Sequence, residues 1–181
     1  MMNYQEIIDK YYPAGSPLRD IYMRHCRQVA ALALEINETQ RLGLDPAKVE
    51  GAAMLHDIGI YLTDANGIEC YGTEPYIKHG VLGGALLRRN GVPEEIARVA
   101  ERHTGAGLTR EDIEKNSLPL PAGDYMPETL LERLVCYADK FYSKSGDMKR
   151  KSLERVRASM AKWGLETVTR FERLYREFSA R

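Results

Sequence analysis

The chain has 181 residues, 44% of them apolar and 29% charged, a globular mix that excludes a disordered chain. Its 26 basic and 26 acidic residues cancel, so no global field steers it to nucleic acid. No apolar run approaches the roughly 20 residues of a membrane span. The polar start MMNYQEIIDKYY is no signal peptide, and Cys26, Cys70 and Cys136 form no disulfide framework, so a reduced, cytoplasmic setting is expected.

In chain order, helical periodicity dominates and no β-alternation stands out. NYQEIIDKYYP reads as a short helix stopped near Pro13. Ser16 caps the next, with Pro17 in its first turn and Leu18, Tyr22, His25, Val29, Leu32 and Ile36 on one face. Asp45 and Pro46 start a third helix running to about Asp57, followed by the loop-like IYLTDANGIECYGTEP. A helix follows Pro75 and stops at Asn90-Gly91, with His79, Leu82 and Leu86 on one face and Gly83-Gly84 allowing close packing. VPEEIARVAERHTG is a short helix that aligns His103 with Ile96, and Thr109 with Asp112 forms a capping box. ETLLERLVCYADKFYS is a helix carrying Asp139 on its apolar face. A basic amphipathic helix starts near Ser152, and Gly164 breaks it from the last one. A single all-α domain over 1–181 is expected, its core at about 18–145 and C-terminal helices over 150–181 packed on it.

The segment GAAMLHDIGIYL sets His56 and Asp57 side by side among small and apolar residues. Two adjacent ionisable groups are costly to bury unless something pairs with them, and a metal ion pairs with both. All four histidines, His25, His56, His79 and His103, fall on the apolar face or at the inner end of a different predicted helix, as does Asp139. Helices that each bring one or two ligands to a bundle interior build metal sites. Imidazoles and carboxylates without thiolate suit iron, manganese, cobalt, nickel or zinc. Six groups exceed a tetrahedral zinc site and suit two divalent ions sharing a bridge, for which the two oxygens of Asp57 are the natural choice. A dinuclear centre positions a water, lowers its pKa and clamps phosphoryl oxygens, which makes Asp57 and His56 the catalytic candidates.

HDIG with an upstream His and a downstream Asp resembles the HD superfamily of metal-dependent phosphohydrolases, whose fold is an all-helical bundle. The resemblance runs from about Leu18 to Phe141 and implies His25, His56, Asp57 and Asp139 around one metal. It is similar to the subgroup with two further histidines, which implies His79 and His103 at a second metal. KHGVLGGALL, HTGAGLT and LLERLVCYADKF also resemble the symmetrical diadenosine tetraphosphatases. Many relatives carry Lys one residue after HDIG, where this chain has Ile60, and the GYP signature of cyclic-dinucleotide phosphodiesterases is missing.

The activity implied is hydrolysis of a phosphoester or phosphoanhydride of a nucleotide or small phosphorylated metabolite. The alternatives are a di-iron oxygenase of the same superfamily and a non-catalytic metal- or nucleotide-binding module. The expected partner is a small phosphorylated substrate rather than nucleic acid or membrane, with a homodimer as an option. Candidate substrate contacts are Lys140, Lys144, Arg24 and Thr104, the last on a loop with Gly105 and Gly107 at the pocket mouth. Tyr61, Tyr71, Tyr76 and Tyr142 are candidates to stack on a base. The basic tail KSGDMKRKSLERVRASMAKW reads as a solvated helix face, with a nucleic-acid surface as the alternative.

Overall fold

Side-chain caps set most helix starts in the computed structural model, which describes residues 3–179. The α-helices among the described residues are α1 (Tyr4–Tyr11), α2 (Pro17–Thr39), α3 (Pro46–Leu55), α4 (His79–Arg89), α5 (Glu94–Arg102), α6 (Arg110–Lys115), α7 (Leu130–Asp139), α8 (Leu153–Ala161) and α9 (Leu165–Phe178). Ser16 accepts from the Arg19 N–H, Asp45 from Ala47 and Ser152 from Arg155, satisfying N-terminal amides that have no partner within the helix. Thr109 with Asp112 forms a capping box on α6, and Thr129 with Glu132 forms a second on α7.

Two expectations need correction. The segment read as loop holds three short strands, β1 (Thr63–Ala65), β2 (Cys70–Tyr71) and β3 (Glu74–Pro75). β1 is central, antiparallel to β2 and parallel to β3. Strands of two or three residues are too short for alternation to show. The third helix stops at Leu55 rather than about Asp57, so His56 and Asp57 lie in the turn that follows it. On α4 the buried residues are His79, Gly80, Gly83, Gly84, Leu86 and Leu87, and Leu82 is only partly covered.

The glycines explain how that helix packs. A Cβ at Gly80 would stand 2.9 Å from the Ala100 carbonyl, and one at Gly84 would stand 3.1 Å from that of Ala97, so α4 and α5 meet backbone to backbone. Gly59 is tighter still: a Cβ there would lie 2.2 Å from the His79 carbonyl oxygen and 2.6 Å from the Gly83 nitrogen. The turn after α3 therefore rests directly on the first turn of α4.

The C-terminal helices pack on α7. Phe171 and Phe178 meet the Tyr137 ring at centroid distances of 6.1 and 5.4 Å. Arg170 of α9 reaches Asp112 at 2.6 Å and donates to the Gly107 carbonyl at 3.2 Å, tying the last helix to the loop before α6. Arg98 of α5 meets the buried Glu132 at 2.7 Å, which compensates a charge that would be costly to bury alone.

Substituting Gly59→Ala is expected to cost roughly 3 kcal/mol, because the clash is with backbone that no rotamer change relieves. Thermal denaturation should show a Tm fall of several degrees, and His79 should leave the cluster it belongs to. An unchanged Tm would show that this contact is slack.

Candidate metal centre and its cavity

Four helices and one turn bring the six sequence-chosen groups together. His25 comes from the middle of α2, His79 from the first residue of α4, His103 from the residue after α5 and Asp139 from the last of α7. His56 and Asp57 come from the turn after α3. All six are buried.

They form two groups that share Asp57. In one, His25 Nε2 lies 3.1 Å from Asp57 Oδ2 and 3.0 Å from Asp139 Oδ1, and His56 Nε2 lies 3.2 Å from Asp57 Oδ2. In the other, His79 and His103 present Nε2 atoms 3.6 and 3.3 Å from Asp57 Oδ1. One carboxylate oxygen thus faces each group.

Backbone carbonyls orient three of the rings. Nδ1 of His56, His79 and His103 lies 2.6, 2.7 and 2.7 Å from the carbonyls of Ala53, Tyr76 and Ala100, each three residues earlier. A carbonyl only accepts, so Nδ1 carries the proton and Nε2 is turned to the centre. Burial and the neighbouring His103 push His79 down to about 3, so its ring is neutral. Burial also lowers His103. Two unprotonated ring nitrogens therefore face each other at 3.1 Å.

That arrangement repels itself unless a cation lies between the donors. Both oxygens of Asp57 are buried without a hydrogen bond of good geometry, although the Lys144 ammonium stands 2.7 Å from Oδ2. Lys140 stands 2.7 Å from Asp139 Oδ2 in the same way, so ammonium groups already occupy the edge of a field that demands positive charge. Ligands bonded at about 2.1 Å to one ion lie about 3.0 Å apart at right angles and about 3.4 Å apart in a tetrahedron. Donor separations of 3.0 to 3.3 Å fall within that range, and the 3.6 Å between His79 and Asp57 lies just above it. The donor set of imidazole nitrogens and carboxylate oxygens fits a divalent metal.

Above the centre is a cavity of about 660 Å³. His79, His103, Asp139, Lys140 and Lys144 line its inner part. Thr104 lines it too, as expected of a loop at the mouth, and so do Tyr76 and Tyr142. Arg24 does not: it is exposed and donates to the Asp147 carbonyl at 3.1 Å, so its expected substrate contact is corrected. The neighbour of a buried helical residue points some 100° away from it. Tyr61 packs on Tyr11 and Tyr12, and Tyr71 is exposed and bonded to Glu69. Lys151, Met160, Trp163 and Thr167 also line the cavity, where the sequence suggested only a solvated basic helix.

The HD-domain family model matches residues 22–143, which include all six clustered groups. The chain belongs to the HD-domain family. Its fold resembles the HD domain of the L. monocytogenes phosphodiesterase PgpH, with TM-score 0.55 and 15% identity over 96% of this chain and 95% of that one. The same domain in complex with cyclic-di-AMP gives TM-score 0.54 at 16% identity, covering 98% of each chain. In sequence the chain is 36% identical to a tRNA (cytidine(56)-2'-O)-methyltransferase of Picrophilus torridus over 124 residues, which is 68% of this chain and 32% of that protein. It is 35% identical to the protein of that name from Thermoplasma volcanium over 162 residues, 90% of this chain and 42% of the relative. The chain thus spans about a third to two fifths of the length of these curated relatives. No described helix is long and apolar enough to cross a membrane.

Although burial opposes it, the carboxylates of Asp57 and Asp139 hold the His56 pKa well above its usual value, so without metal this ring is protonated at neutral pH. An entering cation must displace that proton. Metal affinity should therefore rise with pH through the neutral range, by about tenfold per unit for each proton released. Competition against a chelator at pH 6, 7 and 8 checks the sign. A pH-independent affinity would show that the centre is already deprotonated.

Proposed function

We propose that the chain is a metal-dependent phosphohydrolase that cleaves a phosphoester or phosphoanhydride of a nucleotide or small phosphorylated metabolite. The observation that carries this reading is Asp57, which turns one oxygen to each of two buried ligand groups beneath a lysine-lined cavity. His25, His56, Asp57 and Asp139 would hold one divalent ion, and His79 and His103 with the second oxygen of Asp57 another. The chemistry that divalent ions would supply there is Lewis acidity and a lowered pKa for a water.

The chain's own residues do the rest. Asp57 fixes the spacing between the two groups. The carbonyls of Ala53, Tyr76 and Ala100 hold three rings in the tautomer that presents Nε2 inward. Lys140 and Lys144 place ammonium groups over the centre, where they favour the negative charge of a phosphate. Lys140 is fixed further by donating to the His103 carbonyl at 2.9 Å. The missing Lys after HDIG is no obstacle: Ile60 is fully buried, and Lys144 supplies a cation 2.7 Å from Asp57.

The fold shared with PgpH, whose HD domain was solved with cyclic-di-AMP, supports a nucleotide ligand. The relatives named as tRNA methyltransferases match over less than half their length. Their named activity is therefore not carried over to this chain, whose cavity is built of imidazoles, carboxylates and lysines.

Anaerobically purified protein should carry about two metal equivalents per chain by elemental mass spectrometry, falling to about one in His79→Ala. Asp57→Asn should reduce phosphate release by about a thousandfold while circular dichroism keeps the helical signal. Phosphate release that needs dioxygen, or that survives Asp57→Asn, would sink the hydrolase reading.

A further inference from the structure

The family match ends at residue 143, but the cavity continues beyond it. Beyond Lys144 of the inner part, Lys151, Met160, Trp163 and Thr167 form an outer wall from outside the matched segment. The two walls differ in chemistry: the inner one is imidazole, carboxylate and the ammonium groups paired with it, the outer one aromatic and thioether with the unpaired ammonium of Lys151.

Two features of the outer wall ask for a ligand. Trp163 is the chain's only tryptophan, and it is 56% exposed. Among the described residues Tyr71 and Leu165 are the other large apolar side chains so exposed, and neither lines the cavity. A large aromatic left open at a cavity mouth, with the buried Met160 beside it in the lining, is a stacking surface. The hydroxyl of Thr167 donates to the Trp163 carbonyl at 3.4 Å and ties that turn to the start of α9.

Lys151 is the second feature. Lys140 and Lys144 are paired with Asp139 and Asp57. Lys151 takes part in no ion pair among the described residues, although it is partly buried in the lining. Its N–H donates to the Phe141 carbonyl at 2.8 Å, which fixes its place on the wall. Burial, helped by the neighbouring charges of Lys140, Lys144 and Arg155, lowers its pKa against the opposing pull of Asp139.

We infer that the segment after residue 143 selects a nucleoside phosphate, with Trp163 and Met160 as the platform for the base and Lys151 as the ammonium that meets a phosphate oxygen. The inference rests on the phosphohydrolase reading for the reaction, and narrows its substrate from any phosphorylated metabolite to one with a base. A free mononucleotide and the terminal nucleotide of an RNA share this chemistry.

Because Trp163 is the only tryptophan, its fluorescence reports stacking without requiring turnover. The full chain, with and without zinc, is titrated with AMP, with a short RNA bearing a 3'-phosphate, with ribose 5-phosphate and with inorganic phosphate. AMP or the RNA end should quench saturably, and whichever binds tighter identifies the source. Ribose 5-phosphate and phosphate should displace the quencher without quenching. Trp163→Leu should raise KM for the nucleotide form roughly 5- to 100-fold with kcat nearly unchanged, and leave ribose 5-phosphate unaffected. Lys151→Gln should weaken displacement by inorganic phosphate about tenfold with unchanged circular dichroism. Quenching by neither nucleotide form, or equal KM for AMP and ribose 5-phosphate, overturns the inference. Phosphate release without quenching removes the platform and leaves the hydrolase. Saturable quenching without phosphate release under any metal keeps the platform and removes the hydrolase.

Discussion

A single buried carboxylate organises this molecule. Asp57 is fully buried, and its two oxygens are divided between imidazoles from α2 and the turn after α3 on one side and from α4 and α5 on the other. Burial alone would raise its pKa, but Lys144 and the surrounding histidines hold it well below the usual range. Such a charge persists in a core only if opposite charge stays close. The helices are therefore arranged to keep ligands and ammonium groups around one point, and the apolar packing of α2, α3, α5 and α7 closes around it.

Much of this was legible in the sequence because the signals are local. Ser16, Asp45 and Thr109 act as caps where their residue types predict. His25 falls on a buried face because α2 keeps a regular apolar stripe over 23 residues. The clustering of His79 and His103 was readable from their places at the ends of apolar segments, and the structure sets their Nε2 atoms 3.1 Å apart. The three-stranded sheet was not legible, since its strands are held by pairing across a loop rather than by pattern. Arg24 misled because adjacency in sequence says little about adjacency in space on a helix.

The outer wall escaped for a different reason. Lys151 and Trp163 sit in a basic, amphipathic stretch whose composition is that of an ordinary solvated helix. The Lys151 N–H bond to the Phe141 carbonyl and the packing of α9 on α7 turn that stretch toward the cavity, and such long-range placement leaves no periodic mark. The lone tryptophan was the one compositional hint.

The anchor between Arg170, Asp112 and the Gly107 carbonyl carries a consequence of its own. It joins the last helix to the loop that borders the centre, yet touches none of the groups gathered around Asp57. This clasp, the Arg133–Glu177 ion pair and the aromatic packing on Tyr137 fasten the outer wall to the floor without using any of those groups. In such a construction the helices after Lys151 can change, and so re-aim the molecule at a new ligand, while the groups around Asp57, Lys144 among them, keep their places.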